Sequence, residues 1–106
     1  MTTFDKRKKE EEARYKRDEE LRFKVNARRN KLLGLWAAEQ LGMQGEAADA
    51  YAKEVVAADF DRPGDSDVVE KVLKDFGANG IAIDEHRLRK EMTRLLDVAR
   101  QQVMAE

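Results

Sequence analysis

The sequence predicts an all-α protein, a four-helix bundle whose first helix is extended at its N-terminus by a flexible, charged arm. Three observations predict it. Pro occurs once and Gly six times in 106 residues, so little interrupts a chain rich in Ala, Glu, Lys, Arg and Leu. Apolar residues recur at steps of three and four in separate stretches, each the length of a helix. The first twenty residues depart from that pattern and carry charge without an apolar stripe. A chain of this length can bury roughly 65% of its unfolded surface, enough for one modest core.

Charge and cysteine usage exclude whole classes of function. Charged residues make up 41% of the chain, against about 25% in ordinary domains. Yet 21 Lys and Arg are balanced by 22 Asp and Glu. A duplex binder needs a net basic face to release counterions, and no nucleic-acid partner is expected at a pI near 5.9. The absence of Cys removes disulfides, thiolate metal sites and cysteine nucleophiles, and fits a reducing, cytoplasmic address. The opening residues contain no apolar leader, and no run approaches the length of a membrane span.

Residues 1–20 are assigned to the arm and 21–106 to the bundle. Between Asp5 and Glu20 seven basic and seven acidic residues cancel. Ordered i, i+4 pairs (Glu10 to Arg14, Glu12 to Lys16, Asp18 to Arg22, Glu20 to Lys24) favour a helix by roughly 0.3 to 0.5 kcal/mol each. The large apolar groups are Phe4 and Tyr15, eleven residues apart on one face with nothing apolar between them. The arm therefore prefers helix but lacks the burial that would fix it, and a partner would supply that burial.

The first bundle helix is expected over about 21–42. Leu21, Val25, Leu32 and Trp36 fall on one stripe, and Leu32 to Ala38 is apolar on nearly every side. Gly34 marks a close helix contact beside Trp36, and Gly42 is a natural C′ residue. Arg22, Lys24, Arg28, Arg29 and Lys31 form the one basic patch. They are split between opposite sides of the helix, as expected of a solvated face with pairing to the acidic helices that follow. The second helix, about 46–60, carries Ala48, Tyr51, Ala52, Val55, Val56 and Phe60, with Asp59 in the apolar sector expected to cap the next helix or meet an Arg. Asp61 to Asp65 (DRPGD) is a turn, with Asp65 or Ser66 as N-cap of a third helix over about 66–76. Val68, Val69, Val72, Leu73 and Phe76 face its core, and Gly77 is expected to end it in a left-handed conformation. Ile81 and Ile83 staple the connection, and Asp84 caps a last helix over about 85–104. Leu88, Met92, Leu95, Leu96, Ala99 and Val103 form its stripe.

Residues for chemistry are scarce. There is no metalloprotease, phosphate-loop, dinucleotide, nucleophile-elbow or calcium motif, so no catalytic or metal-binding residues are assigned and no enzyme is expected. His86 is the single histidine and reads as a surface residue on a first helical turn. Gly77-Ala78-Asn79-Gly80 matches an RNA-binding loop in letters alone, since flanking strands and basic charge are missing.

Several blocks carry a resemblance: Met1 to Asp5 (MTTFD), Asp18 to Lys24 (DEELRFK), Ala27 to Gly42 (ARRNKLLGLWAAEQLG), Ala50 to Phe60 (AYAKEVVAADF), Gly64-Asp65 before Val68, and Met92-Thr93 before Leu95-Leu96. In them the chain resembles the zeta subunit of alphaproteobacterial F1F0 ATP synthase, the ATPase inhibitor subunit. The resemblance implies a protein that binds the catalytic and rotor subunits of F1, peripheral to the inner membrane without entering it. Its N-terminal segment would oppose ATP hydrolysis by entering a catalytic interface, with the bundle as anchor. Carried onto this chain, the partner-binding residues are Thr3, Phe4, Asp5, Arg7, Lys8, Glu12, Arg14, Tyr15, Asp18 and Glu19. The resemblance implies no required cofactor and weak adenine nucleotide binding, with no residue here to place it. Glu10, Glu11 and Lys16 depart from the family's smaller or more apolar residues and thin the arm's apolar strip. Two further readings stand beside this one: an F1-binding helical adaptor that does not brake, and an RNA or acidic-protein binder using Arg22 to Lys31.

Overall fold

A computed structural model describes residues 2–59 and 64–106, with side chains from Asp18 onward. Four helices and no strand occur among the described residues: α1 (Thr2–Gln40), α2 (Gly45–Ala58), α3 (Ser66–Ala78) and α4 (Glu85–Met104). At 1.5 Å per residue, the 39 residues of α1 make a rod about 58 Å long that runs through both the arm and the first bundle helix.

The ends of these helices follow from local chemistry. After Gln40 the chain turns at Gly42, with φ of 79°; Met43 N–H donates to Ala38 O at 2.8 Å and Gly42 N–H to Glu39 O at 3.1 Å. This double closure satisfies the last carbonyls of α1 and places Gly42 at the expected C′ position. The same device ends α3, but at Gly80 (φ 69°), where Ile81 N–H donates to Phe76 O at 2.9 Å. Gly77 was expected to end this helix and instead lies within it. The closure needs an apolar residue just after the left-handed one to pack on the core, and Ile81 supplies it. Asn79 reinforces the end by donating its side-chain amide to Asp75 O at 2.8 Å. At the start of α4, Asp84 Oδ1 accepts the Arg87 N–H at 2.8 Å, the predicted N-cap. The second helix ends at Ala58. Phe60 and the Asp61 to Pro63 part of the predicted turn lie outside the described residues.

Packing centres on the C-terminal half of α1, with α2 and α4 laid antiparallel along it. At Gly34 a Cβ would stand 2.5 Å from Ala52 Cα, so α1 and α2 approach more closely than any side chain would permit. Leu33, Ala37 and Ala38 meet Tyr51 and Val55 of α2, Val68, Val69, Val72 and Phe76 of α3, and Leu88, Met92 and Leu95 of α4. Trp36 packs edge-on against Phe76 at 5.9 Å between ring centres. A second cluster joins Val25 to Ala99 and Val103, with Leu21, Leu32 and Leu96 around it. Leu21, Leu32 and Trp36 of the expected stripe are only half-buried. The deepest line is Val25, Arg29, Leu33 and Ala37, because helices packed on two sides widen the buried sector of α1 and shift its centre.

Candidate functional site

The arm meets the bundle at a sharp change in burial along α1. Asp18, Glu19 and Glu20 are exposed, Leu21 is half-buried and Val25 is in the core. Of the partner-binding residues assigned to the arm, Asp18 and Glu19 are therefore displayed to solvent; the side chains of Thr3, Phe4, Asp5, Arg7, Lys8, Glu12, Arg14 and Tyr15 lie outside the described residues.

One turn further on, α1 is locked to the α2–α3 connection by a buried cation. Arg29 is 5% exposed and its guanidinium reaches Asp65 in a two-pronged pair, Nη2 to Oδ1 at 2.7 Å and Nη1 to Oδ2 at 3.2 Å. Nε and Nη2 also donate to Asn30 Oδ1, at 3.2 and 2.9 Å. The planar fork suits this geometry, where a lysine would make a single contact. Two expectations change here. Arg29 is not part of a solvated face, and Asp65 makes no side-chain bond at the start of α3, its carboxylate being committed to Arg29. A buried guanidinium left unpaired is far costlier than an uncapped helix end, which decides between the two uses. Asp59 adjoins this cluster at the C-cap of α2. Burial raises its carboxyl above the ordinary range, and the nearby Arg29 guanidinium pulls it only part of the way back. Asn30, in the same cluster, is 1% exposed and its Nδ2 closes no hydrogen bond.

The rest of the basic patch disperses. Arg28 donates to Gln102 Oε1 at 3.0 Å and pairs with Glu106, fastening the end of α4 to α1. Arg22, Lys24 and Lys31 are exposed. No continuous phosphate-tracking row results. A second polar network joins α2 to α3: Tyr51 Oη donates to Asp75 Oδ2 at 2.8 Å, and Lys71 Nζ stands 2.9 Å from Asp75 and 3.1 Å from Glu54. Burial, and then the Asp75 carboxylate, keep the Tyr51 hydroxyl protonated well beyond its usual range. Burial alone would raise Asp75, but hydrogen bonds from Lys71 and Tyr51 hold it below the usual carboxylate value. These groups saturate one another and tie helices together. His86 is exposed, as expected, and no group of three metal-ligating side chains converges among the described residues.

Sequence reasoning passed over two features. The Arg29–Asp65 pair spans 36 positions and has no local signal. Phe23, 64% exposed, had one: at 100° per residue it falls about 160° round α1 from Val25, on the side away from the bundle.

Comparison with known proteins places this architecture. The family description "ATPase inhibitor subunit zeta" matches residues 1–102, so the match takes in the arm as well as the bundle. A protein of known solution NMR structure is 47% identical, with a TM-score of 0.72, over 80% of this chain and 96% of its own. No curated protein matches the chain. No helix among the described residues is long and apolar enough to cross a membrane. Matched almost end to end, from the long N-terminal helix through the bundle, the chain belongs to the ATPase inhibitor subunit zeta family.

Proposed function

We propose that this chain brakes ATP hydrolysis by inserting the N-terminal part of α1 at a catalytic interface of the F1 head, beside the rotor. The observation that carries this reading is the continuity of α1 from Thr2 to Gln40, with its C-terminal half buried against α2 and α4. A helix held at one end by a packed core can transmit a steric load from its other end. The blocking element needs no chemistry of its own. Phe4 and Tyr15 provide the arm's apolar contacts, and Thr3, Asp5, Arg7, Lys8, Glu12, Arg14, Asp18 and Glu19 its polar ones. Ordering the arm on entry into a cleft costs conformational entropy, which makes the brake reversible. The protein would work in the cytoplasm, held at the inner membrane through F1F0. Weak adenine nucleotide binding to the bundle is part of the proposal, without a required cofactor.

The test is ATP hydrolysis by F1 of the same organism, stripped of its own inhibitor and titrated with the full chain and with a chain lacking residues 1–19. Inhibition by the full chain alone supports the reading. Full inhibition by the shortened chain contradicts it. Comigration with F1 and undiminished hydrolysis would favour the adaptor reading, which Glu10, Glu11 and Lys16 make a specific alternative. Restoring an aromatic side chain at Glu11 then tightens inhibition by about tenfold to a hundredfold, the equivalent of roughly 1.5 to 3 kcal/mol of apolar contact.

A further inference from the structure

Where the arm leaves the bundle, α1 and the last turns of α4 enclose an open groove of about 380 Å³. Leu21, Val25, Leu96 and Met104 supply apolar surface, and Arg22 and Arg100 stand on its rim. Asp18 is the one carboxylate that lines it among the described residues. Arg22 makes no ion pair among the described residues, and Arg100 has only a 3.4 Å contact with the exposed Asp97. Among the described residues the groove therefore presents two guanidiniums against one lining carboxylate, around an apolar floor, and Arg22 is the cation left without an ion pair. One exposed apolar side chain needs no explanation. Here Met104, which lines the groove, is 67% exposed, the most open large apolar side chain among the described residues. The Arg28 bonds to Gln102 and Glu106 pin the α4 terminus, so the groove is formed before any partner arrives.

We infer that this groove is a second contact with the F1 head, taking an acidic segment with an apolar side chain that enters between Leu21 and Met104. The inference rests on the F1-binding reading above and extends it to the bundle. Its charge selects the occupant: two cationic rims favour a carboxylate-bearing segment, and Met offers an adaptable apolar contact. Position adds to this, since a segment in the groove lies against the first turn that follows the arm and would hold the arm's root at the mouth of the cleft. Contact here would lengthen the time the brake stays bound, because apolar cores of interfaces act chiefly on dissociation.

The experiment measures dissociation from inhibitor-stripped F1 for the full-length chain, Met104→Glu, Arg100→Glu and Lys90→Glu, the last on an exposed face of α4 remote from the groove. Thermal melting of each variant is followed in parallel. The expected result is dissociation at least tenfold faster for Met104→Glu and for Arg100→Glu, with unchanged melting, and wild-type behaviour for Lys90→Glu. Binding by both groove variants as tight as wild type would overturn the inference and leave the arm as sole contact. Self-association of the free chain that Met104→Glu abolishes would assign the groove to a second copy and overturn it equally. Failure of the underlying reading shows separately, as inhibition that survives removal of residues 1–19.

Discussion

Residues 21–40 of α1 place Val25, Leu33, Ala37 and Ala38 out of solvent, whereas residues 2–20 bring to the same helix only Phe4 and Tyr15 among seven positive and seven negative charges. One half is held by burial, at roughly 25 cal/mol per Å² of apolar surface. The sequence of the other offers i, i+4 pairs worth a few tenths of a kcal/mol each. Under the proposed function, the difference separates stability from action along one secondary-structure element. Substitutions in the anchor half should change folding and leave the intrinsic action of the arm alone, and substitutions in the arm should do the reverse.

The largest effect is expected where α1 touches α2. Gly34→Val puts a branched side chain where even a Cβ meets the Ala52 backbone, and should cost about 3 kcal/mol or more in urea unfolding. Gly34→Ala should cost less, because its gain in helix propensity, about 1 kcal/mol, offsets part of the clash. Next in size is the buried cation. Asp65→Asn leaves the Arg29 guanidinium half-paired and should destabilise by about 1 to 3 kcal/mol, below the range for a fully buried pair because Asp65 is 44% exposed. Combining it with Arg29→Met should recover part of that loss, and a double-mutant cycle would read the coupling.

The smallest effects are those of protons, and they have opposite signs. Asp75 is held below its unfolded value, so its contribution is present above about pH 4 and is lost as the pH falls through the lowered folded value. Asp75→Asn should flatten that acid loss, by under ~1 kcal/mol since Asp75 and Lys71 are each about a quarter exposed. Asp59 is raised, so its contribution is present below about pH 4 and lost as the pH rises through the folded value. Asp59→Asn should therefore stabilise slightly at pH 7, helped by removing a negative charge from the C-terminal end of α2. Thermal melting from pH 3 to pH 7 checks both.

Much of the fold was legible because its signals are local. Gly42 and Asp84 end and begin helices through bonds within a turn, and the α4 stripe of Leu88, Met92, Leu95, Ala99 and Val103 is buried as its period requires. Gly34 was legible from its cost, which only a close contact could justify. What was not legible depends on pairing across the chain. Asp65 had to choose between a helix end and a guanidinium 36 positions away, and no window of sequence contains that choice. Gly77 and Gly80 compete for one role, and Ile81 settles it by docking on a core that exists only once the helices have assembled. The arm is a different case, because under the proposed function its contacts lie on another protein.

Hydrogen exchange along α1, in the free protein and on F1, tests the division of that helix most directly. The account predicts amides from Arg29 to Ala38 that exchange only with global unfolding in both states. Those of residues 2–17 should exchange close to the unfolded rate in the free protein and slow by at least a hundredfold on F1. Equal protection of the two halves in the free protein, or an arm whose exchange F1 leaves unchanged, would contradict it.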